Sequence, residues 1–222
     1  VCLLTTSVAI MEELKTRGVK ADVAAGLSLG EYCALVAAGS MNFVDAAKAV
    51  RKRGIFMQEE VPAGKGGMAA ILGMDAAEID KNIEEFDKVQ VANYNCPGQI
   101  VISGDEAPVD RAIELLMEAG ARRCIPLNVS GPFHTSLMKP AGDKLKERFK
   151  EEVFRDMQFP VVFNTLGRAK NQDETIPVLL ERQVQSSIYI EDSIRYMAEQ
   201  GIDTIVEIGP GTALSKFVKK TC

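Results

Sequence analysis

Apolar positions along this chain follow two rhythms. Short unbroken runs at residues 22–25, 160–164 and 204–208 lead into Gly or another turn-forming residue, which predicts buried strands. Between and after them the apolar residues recur at helical spacing. Apolar strands alternating with helices predict an α/β fold, a mainly parallel sheet with helices on both faces.

The middle of the chain reads differently. A strand is expected over residues 68–74. A helix follows over 75–86, with Asp75 as its N-cap and Ile79, Ile83 and Phe86 on one face. Strands over 89–94 and 99–103 flank the turn-rich Asn95-Cys96-Pro97-Gly98. A second helix over 108–118 is closed by Gly120, and a last strand spans 123–129. The order strand-helix-strand-strand-helix-strand is that of a ferredoxin-like α+β unit. It predicts a small lobe at 67–128 inserted into an α/β hydrolase-like body formed by 1–66 and 129–222, with Gly64, Gly66 and Gly67 as a flexible entry.

Composition narrows the function classes. Of the 222 residues, 46% are hydrophobic and 26% charged, as in ordinary soluble globular chains. The net charge is -5 and the densest basic spot is Arg51-Lys52-Arg53, inside a helical pattern, so no basic face for nucleic acid is expected. No stretch reaches the roughly 20 apolar residues of a membrane span. Residues 1–11 are apolar but broken by Thr5, Thr6 and Ser7, and they read as a helix packed on a core, not a signal peptide. The chain opens on Val1, so residues upstream of it are expected. Five cysteines at wide spacing, with no C-x-x-C pair and a single histidine, predict reduced thiols in a cytoplasmic protein and no metal site.

Candidate chemistry begins at Gly26-Leu27-Ser28-Leu29-Gly30. This G-x-S-x-G string lies between a short apolar strand and a run of helix formers, the context of a nucleophile elbow. The helix N-terminus would set free N–H groups beside Ser28, and the Leu29 N–H could help hold an oxyanion. The competing reading is a Gly-rich turn that contains a serine. A serine nucleophile needs a base, and His134, in the loop Ser130-Gly131-Pro132-Phe133-His134-Thr135, is the sole histidine. No triad carboxylate is evident. Asp192, Asp203 and Glu207 all follow His134, whereas the hydrolase order puts the acid first; a backbone carbonyl could orient the ring instead.

Asn42 and Asp45 form a capping pair before a helix over 43–60. At about 100° per residue, Arg53 lies on the face of Phe43, Ala46, Ala49, Val50, Phe56 and Met57. An inward guanidinium needs an anion: a substrate carboxylate, or an internal Asp or Glu. A snorkelling arginine is the third reading.

The strings GLSLGEYCALVAAG, RKRGIFMQE, GGMAAILG, NYNCPGQIVISG, GPFHTSLMKPA and VEIGPGTALS together resemble the malonyl-CoA:acyl-carrier-protein transacylases of bacterial fatty-acid synthesis, along nearly the whole chain. The resemblance implies that Ser28 carries malonyl, that His134 is the catalytic histidine and that Arg53 binds the malonyl carboxylate. It further implies that the backbone carbonyl of Gln183 holds the histidine ring, a residue that sequence alone leaves as a solvated helix position. Phe133 matches a malonyl-type motif that disfavours bulkier methylmalonyl units, and Asn95 matches an asparagine near the cleft, although a turn-former role explains it equally. Two departures stand out. Leu27 replaces a customary histidine, and the family's N-terminal G-Q-G-x-Q segment, which donates to the oxyanion and would lie several dozen residues before Val1, is not among the 222 residues.

The implied partners are malonyl-CoA and acyl carrier protein, whose acidic surface would meet Lys or Arg near the cleft; no cofactor, nucleic acid or membrane is implied. The implied reaction is a ping-pong transfer to the carrier's pantetheine thiol. Two alternatives stand beside it: a serine esterase or thioesterase on a similar elbow, which leaves Arg53 unexplained, and a carrier-binding fragment with little turnover.

Overall fold

The computed structural model describes residues 1–60, 66–129 and 131–222. Gly64 and Ser130 lie outside the described residues. The chain opens with α1 (Cys2–Thr16), then β1 (Ala24–Ala25), α2 (Leu29–Ala37) and α3 (Phe43–Glu60). The limits of α3 follow from its cap, where the Asp45 N–H donates to Asn42 Oδ1 at 2.9 Å. The middle of the chain runs β2 (Gly66–Leu72), α4 (Ala76–Ile83), β3 (Val89–Cys96), β4 (Gln99–Asp105), α5 (Glu106–Glu118) and β5 (Arg123–Pro126). Asp75 occupies the N-cap position of α4 with extended backbone, but its side chain makes no capping bond. After a 3-10 turn at Ser136–Met138 come α6 (Lys139–Phe149), β6 (Val161–Phe163), β7 (Arg168–Ala169), α7 (Ile176–Gln185), β8 (Ile188–Tyr189), α8 (Ile190–Glu199) and α9 (Ala213–Thr221).

Two mixed sheets result, in place of the mainly parallel sheet that the apolar runs suggested. In the first, ordered β1-β6-β7, β1 pairs with β6 in parallel and β6 pairs with β7 antiparallel. The connection from β6 to β7 is a tight turn, and a turn that short can only return the chain antiparallel. β6 is buried on both sides. Val161 and Phe163 face a core shared with α1, α2, α3, α6 and α7, while Val162 faces α8 and α9. That two-sided burial is why the run carries no polar alternation.

The second sheet is ordered β5-β2-β4-β3-β8. Ala69, Ile71, Val91, Ile100 and Ile102 pack one face of it against Ile79 and Ile83 of α4 and Val109, Ala112 and Leu116 of α5. The opposite face, with Met68, Ala70, Ala92 and Val101, packs on Phe133. Its last strand comes from outside 67–128: β8 runs parallel to β3 through Asn93↔Ile188 and Tyr94↔Tyr189, and the two tyrosine rings stack at 5.1 Å.

Two further expectations change. Gly66 is no flexible entry; it is buried in β2, and a Cβ there would overlap the Pro132 ring. Residues 204–208 form no strand, because no neighbouring strand pairs with them among the described residues and Ile205 and Val206 stay exposed. Among the described residues no helix is long and apolar enough to cross a membrane, and no group of His, Cys, Asp or Glu could hold a metal ion. All five cysteines are free thiols.

Candidate active site

β1 ends at Ala25, and the chain turns at Gly26 directly into α2. A Cβ on Gly26 would overlap the backbone of Gly30, so only glycine lets strand and helix approach this closely. Ser28 sits at the tip with φ 52 and ψ -101, a left-handed backbone that costs a non-glycine residue about 1–3 kcal/mol. The Leu29 N–H, first of α2, has no intrahelical acceptor and donates to no backbone carbonyl among the described residues.

Three side chains from distant segments meet at this tip. Ser28 Oγ lies 2.9 Å from His134 Nε2. Arg53 Nη2 donates to the same Oγ at 2.8 Å and to Gln183 Oε1 at 3.1 Å. His134 Nδ1 lies 2.6 Å from the Gln183 backbone carbonyl, which fixes Nδ1 as the protonated nitrogen and leaves Nε2 to accept from the serine. His134 also has positive φ, 60, and its N–H donates to the Val184 carbonyl at 3.2 Å, so the ring is anchored to α7 at two points.

Gln183, expected from its sequence position to be solvated, is fully buried, and its Nε2 donates to the Ser28 carbonyl at 2.9 Å. None of the three candidate carboxylates makes a bond to His134 among the described residues. Glu207 instead accepts the Leu214 and Ser215 N–H groups at the start of α9, and Asp203 accepts from the Thr204 hydroxyl. The internal ion-pair reading of Arg53 also falls away, since no carboxylate forms a salt bridge with it among the described residues. It is 6% exposed, it lies 6.0 Å over the Tyr32 ring, and its Nε makes no hydrogen bond among the described residues.

Phe133 precedes the histidine and bridges the body core and the free face of the second sheet. Asn95 makes no hydrogen bond to the serine–histidine–arginine group among the described residues. It lies buried in the irregular half of β3, with Oδ1 unpartnered among the described residues.

Sequence reasoning missed two residues here. Asn164 follows β6, and its amide spans the turn: Oδ1 accepts the Ser28 N–H at 2.7 Å and Nδ2 donates to the Gly26 carbonyl at 2.6 Å. Glu31, 1% exposed, accepts the Asn164 N–H at 2.7 Å. The available signals were a carboxylate three residues past the serine on a mostly apolar helix, and an asparagine closing a fully apolar strand.

The electrostatics follow from burial. Desolvation, reinforced by the charge of Arg53, lowers the His134 pKa to about 4, against the raising effect of the Gln183 carbonyl. The ring is therefore a neutral base at neutral pH. Desolvation raises the Glu31 pKa from 4.5 to about 8, opposed by hydrogen bonds from Asn164 and Gln183 and by the charge of Arg53. The signs matter for stability. From pH 4.5 to 8 folded Glu31 keeps a proton that the unfolded chain has lost, so stability falls as pH rises through that window. From pH 4 to 6.5 His134 acts oppositely, because only the unfolded chain binds its proton. The Glu31 loss is thus unopposed between the unfolded His134 pKa of 6.5 and the folded Glu31 pKa of about 8. There, stability from urea melts is expected to drop by up to about 1.4 kcal/mol per pH unit. Glu31→Gln is expected to flatten that slope; an unchanged slope in the variant would contradict the assignment.

An elbow serine with a histidine on it and, among the described residues, no carboxylate bonded to that histidine fit an acyl transferase of the serine type. The family described as acyl transferase domain matches residues 1–222. The chain belongs to this family, and within it to the malonyl CoA-acyl carrier protein transacylases. It is 52% identical to the malonyl CoA-acyl carrier protein transacylase of Bacillus subtilis over 222 residues, 98% of this chain and 70% of that protein. The crystal structure of the Clostridium perfringens transacylase superposes with a TM-score of 0.96 at 44% identity, covering 99% of this chain and 70% of that one. A malonyl-transacylase solved in complex with its type II PKS acyl-carrier protein superposes with a TM-score of 0.95 at 41% identity, over 98% of this chain and 72% of that one.

Proposed function

We propose that Ser28 carries the acyl group, His134 moves the protons and Arg53 holds the substrate carboxylate. The chain is an acyltransferase that passes a malonyl group from malonyl-CoA to acyl carrier protein. One observation carries the residue assignment: His134 Nε2 and Arg53 Nη2 converge on the single Ser28 Oγ.

In the first half-reaction Ser28 Oγ attacks the thioester carbonyl while Nε2 takes its proton. The Leu29 N–H donates to the resulting oxyanion. The C–S bond breaks, the proton passes from Nε2 to the departing CoA sulfur, and malonyl-Ser28 remains. In the second half the carrier's pantetheine thiol gives its proton to Nε2 and attacks the ester. The C–O bond breaks and Ser28 Oγ recovers the proton. Protein groups and the two thiols balance every step, so the reading needs no metal or cofactor.

Arg53 has the donors for a carboxylate, with a buried Nε that is unpartnered among the described residues. An esterase acting on uncharged esters gives no reason for that guanidinium beside its nucleophile. Phe133 is read as a wall that limits the acyl chain to malonyl size, and Asn95 as a cleft residue supported only by its burial.

The lobe 67–128 is read as ferredoxin-like within the body 1–66 and 129–222. The strand order β5-β2-β4-β3 and its antiparallel pairings support that reading. Five free thiols fit a cytoplasmic location.

Exposure to malonyl-CoA is expected to add one malonyl mass, mapped by peptide mass spectrometry to Ser28. A label on a cysteine would refute the nucleophile.

A further inference from the structure

A left-handed serine persists only where its surroundings over-determine it. At this elbow one side chain in another segment bonds the backbone at both Gly26 and Ser28. β6 lies parallel to β1 through Ala24↔Val161 and Ala25↔Val162, so the residue after Phe163 arrives beside the turn that follows Ala25. That residue is Asn164, 1% exposed.

Its amide reaches both flanks of the serine, accepting the Ser28 N–H and donating to the Gly26 carbonyl. Its backbone is held in turn. The N–H donates to Glu31 Oε2, one helical turn past the serine, and the carbonyl accepts the Tyr189 N–H at 2.8 Å. The elbow, the first turn of α2, Glu31 and Asn164 thus close a hydrogen-bonded ring. The ring has a chemical consequence. With the Ser28 N–H committed to Oδ1, the donor left to the elbow for an oxyanion is the Leu29 N–H.

We infer that Asn164 is a positioning residue for acyl transfer: its amide bridge holds Ser28 at its left-handed angle and reserves the Leu29 N–H for the oxyanion, while Glu31 holds Asn164 in place. This rests on the reading of Ser28 as the acyl carrier.

The test is the single-turnover rate of Ser28 malonylation, followed by intact mass on folded protein as judged by circular dichroism. Asn164→Ala is expected to lose about 100-fold in rate, the scale of an ångström-level misplacement. Its KM for malonyl-CoA is expected to move less than about threefold, because binding through Arg53 is untouched. Asn164→Asp keeps the acceptor for the Ser28 N–H and loses the donor to Gly26, so it should be faster than Asn164→Ala and slower than the unaltered protein. Glu31→Gln, which retains an acceptor for the Asn164 N–H, should be faster than Glu31→Ala. A purely structural role would lower the folded fraction and leave the rate per folded molecule alone.

An Asn164→Ala rate within about threefold of the unaltered protein overturns the inference, as does a loss confined to KM. Asn164→Asp no faster than Asn164→Ala, or Glu31→Gln no faster than Glu31→Ala, also overturns it. If Asn164→Ala does not fold, Asn164→Asp is read against the unaltered protein, and equal rates overturn it. Failure of the unaltered protein to label Ser28 would remove the acyl-carrier reading and this inference together; normal labelling with an insensitive Asn164 series removes the inference alone.

Discussion

His134→Ala should slow malonylation of Ser28 by about 10³ to 10⁴, the upper range for removing a general base. The structure gives three reasons for so large an effect. Nε2 is the one base within reach of Ser28 Oγ among the described residues, at 2.9 Å. Its partner nitrogen is fixed by the Gln183 carbonyl, so the ring needs no reorientation before it accepts the proton. Its pKa of about 4 leaves it unprotonated at neutral pH, and the rate of the unaltered protein should fall only as pH drops toward that value. Rapid-quench measurement of the acyl-enzyme checks both claims. A variant that acylates within about tenfold of the unaltered protein would mean that another group takes the proton.

Arg53→Ala is the second large effect, and it should discriminate between donors. Loss of malonyl transfer by about 10³-fold, roughly 4 kcal/mol, is expected for removing the buried cation from a desolvated carboxylate pair. Transfer of an uncharged acetyl group should suffer far less, since it has no carboxylate to hold. The relevant quantity is the ratio of kcat/KM for malonyl-CoA to that for acetyl-CoA, measured in both proteins. Equal losses with the two donors would rule out the carboxylate clamp and leave Arg53 as a brace for Ser28 Oγ and Gln183 Oε1, which it also contacts.

What the sequence disclosed was what nearby residues decide. The limits of α3 were legible because Asn42 and Asp45 cap it locally, and its periodicity alone turned Arg53 inward. The elbow was legible because strand, glycines and helix are contiguous. The roles of Asn164 and Glu31 were not, because each is defined by a partner more than a hundred residues away, and the burial of Gln183 depends on a histidine and a serine that its own helix does not reveal. Residues 204–208 failed for the same reason in reverse. Their apolar run suits a strand, but strand formation is settled by a neighbour that the run itself does not encode.

The fifth strand of the second sheet couples chemistry to architecture. Gln183, whose carbonyl steers the histidine, lies near the end of α7, and a few residues later the same chain is hydrogen-bonded to β3. The histidine's support and the edge of the second sheet are therefore one continuous stretch of backbone. Any displacement of that edge strand would reach the carbonyl against the His134 ring through only a few residues of backbone.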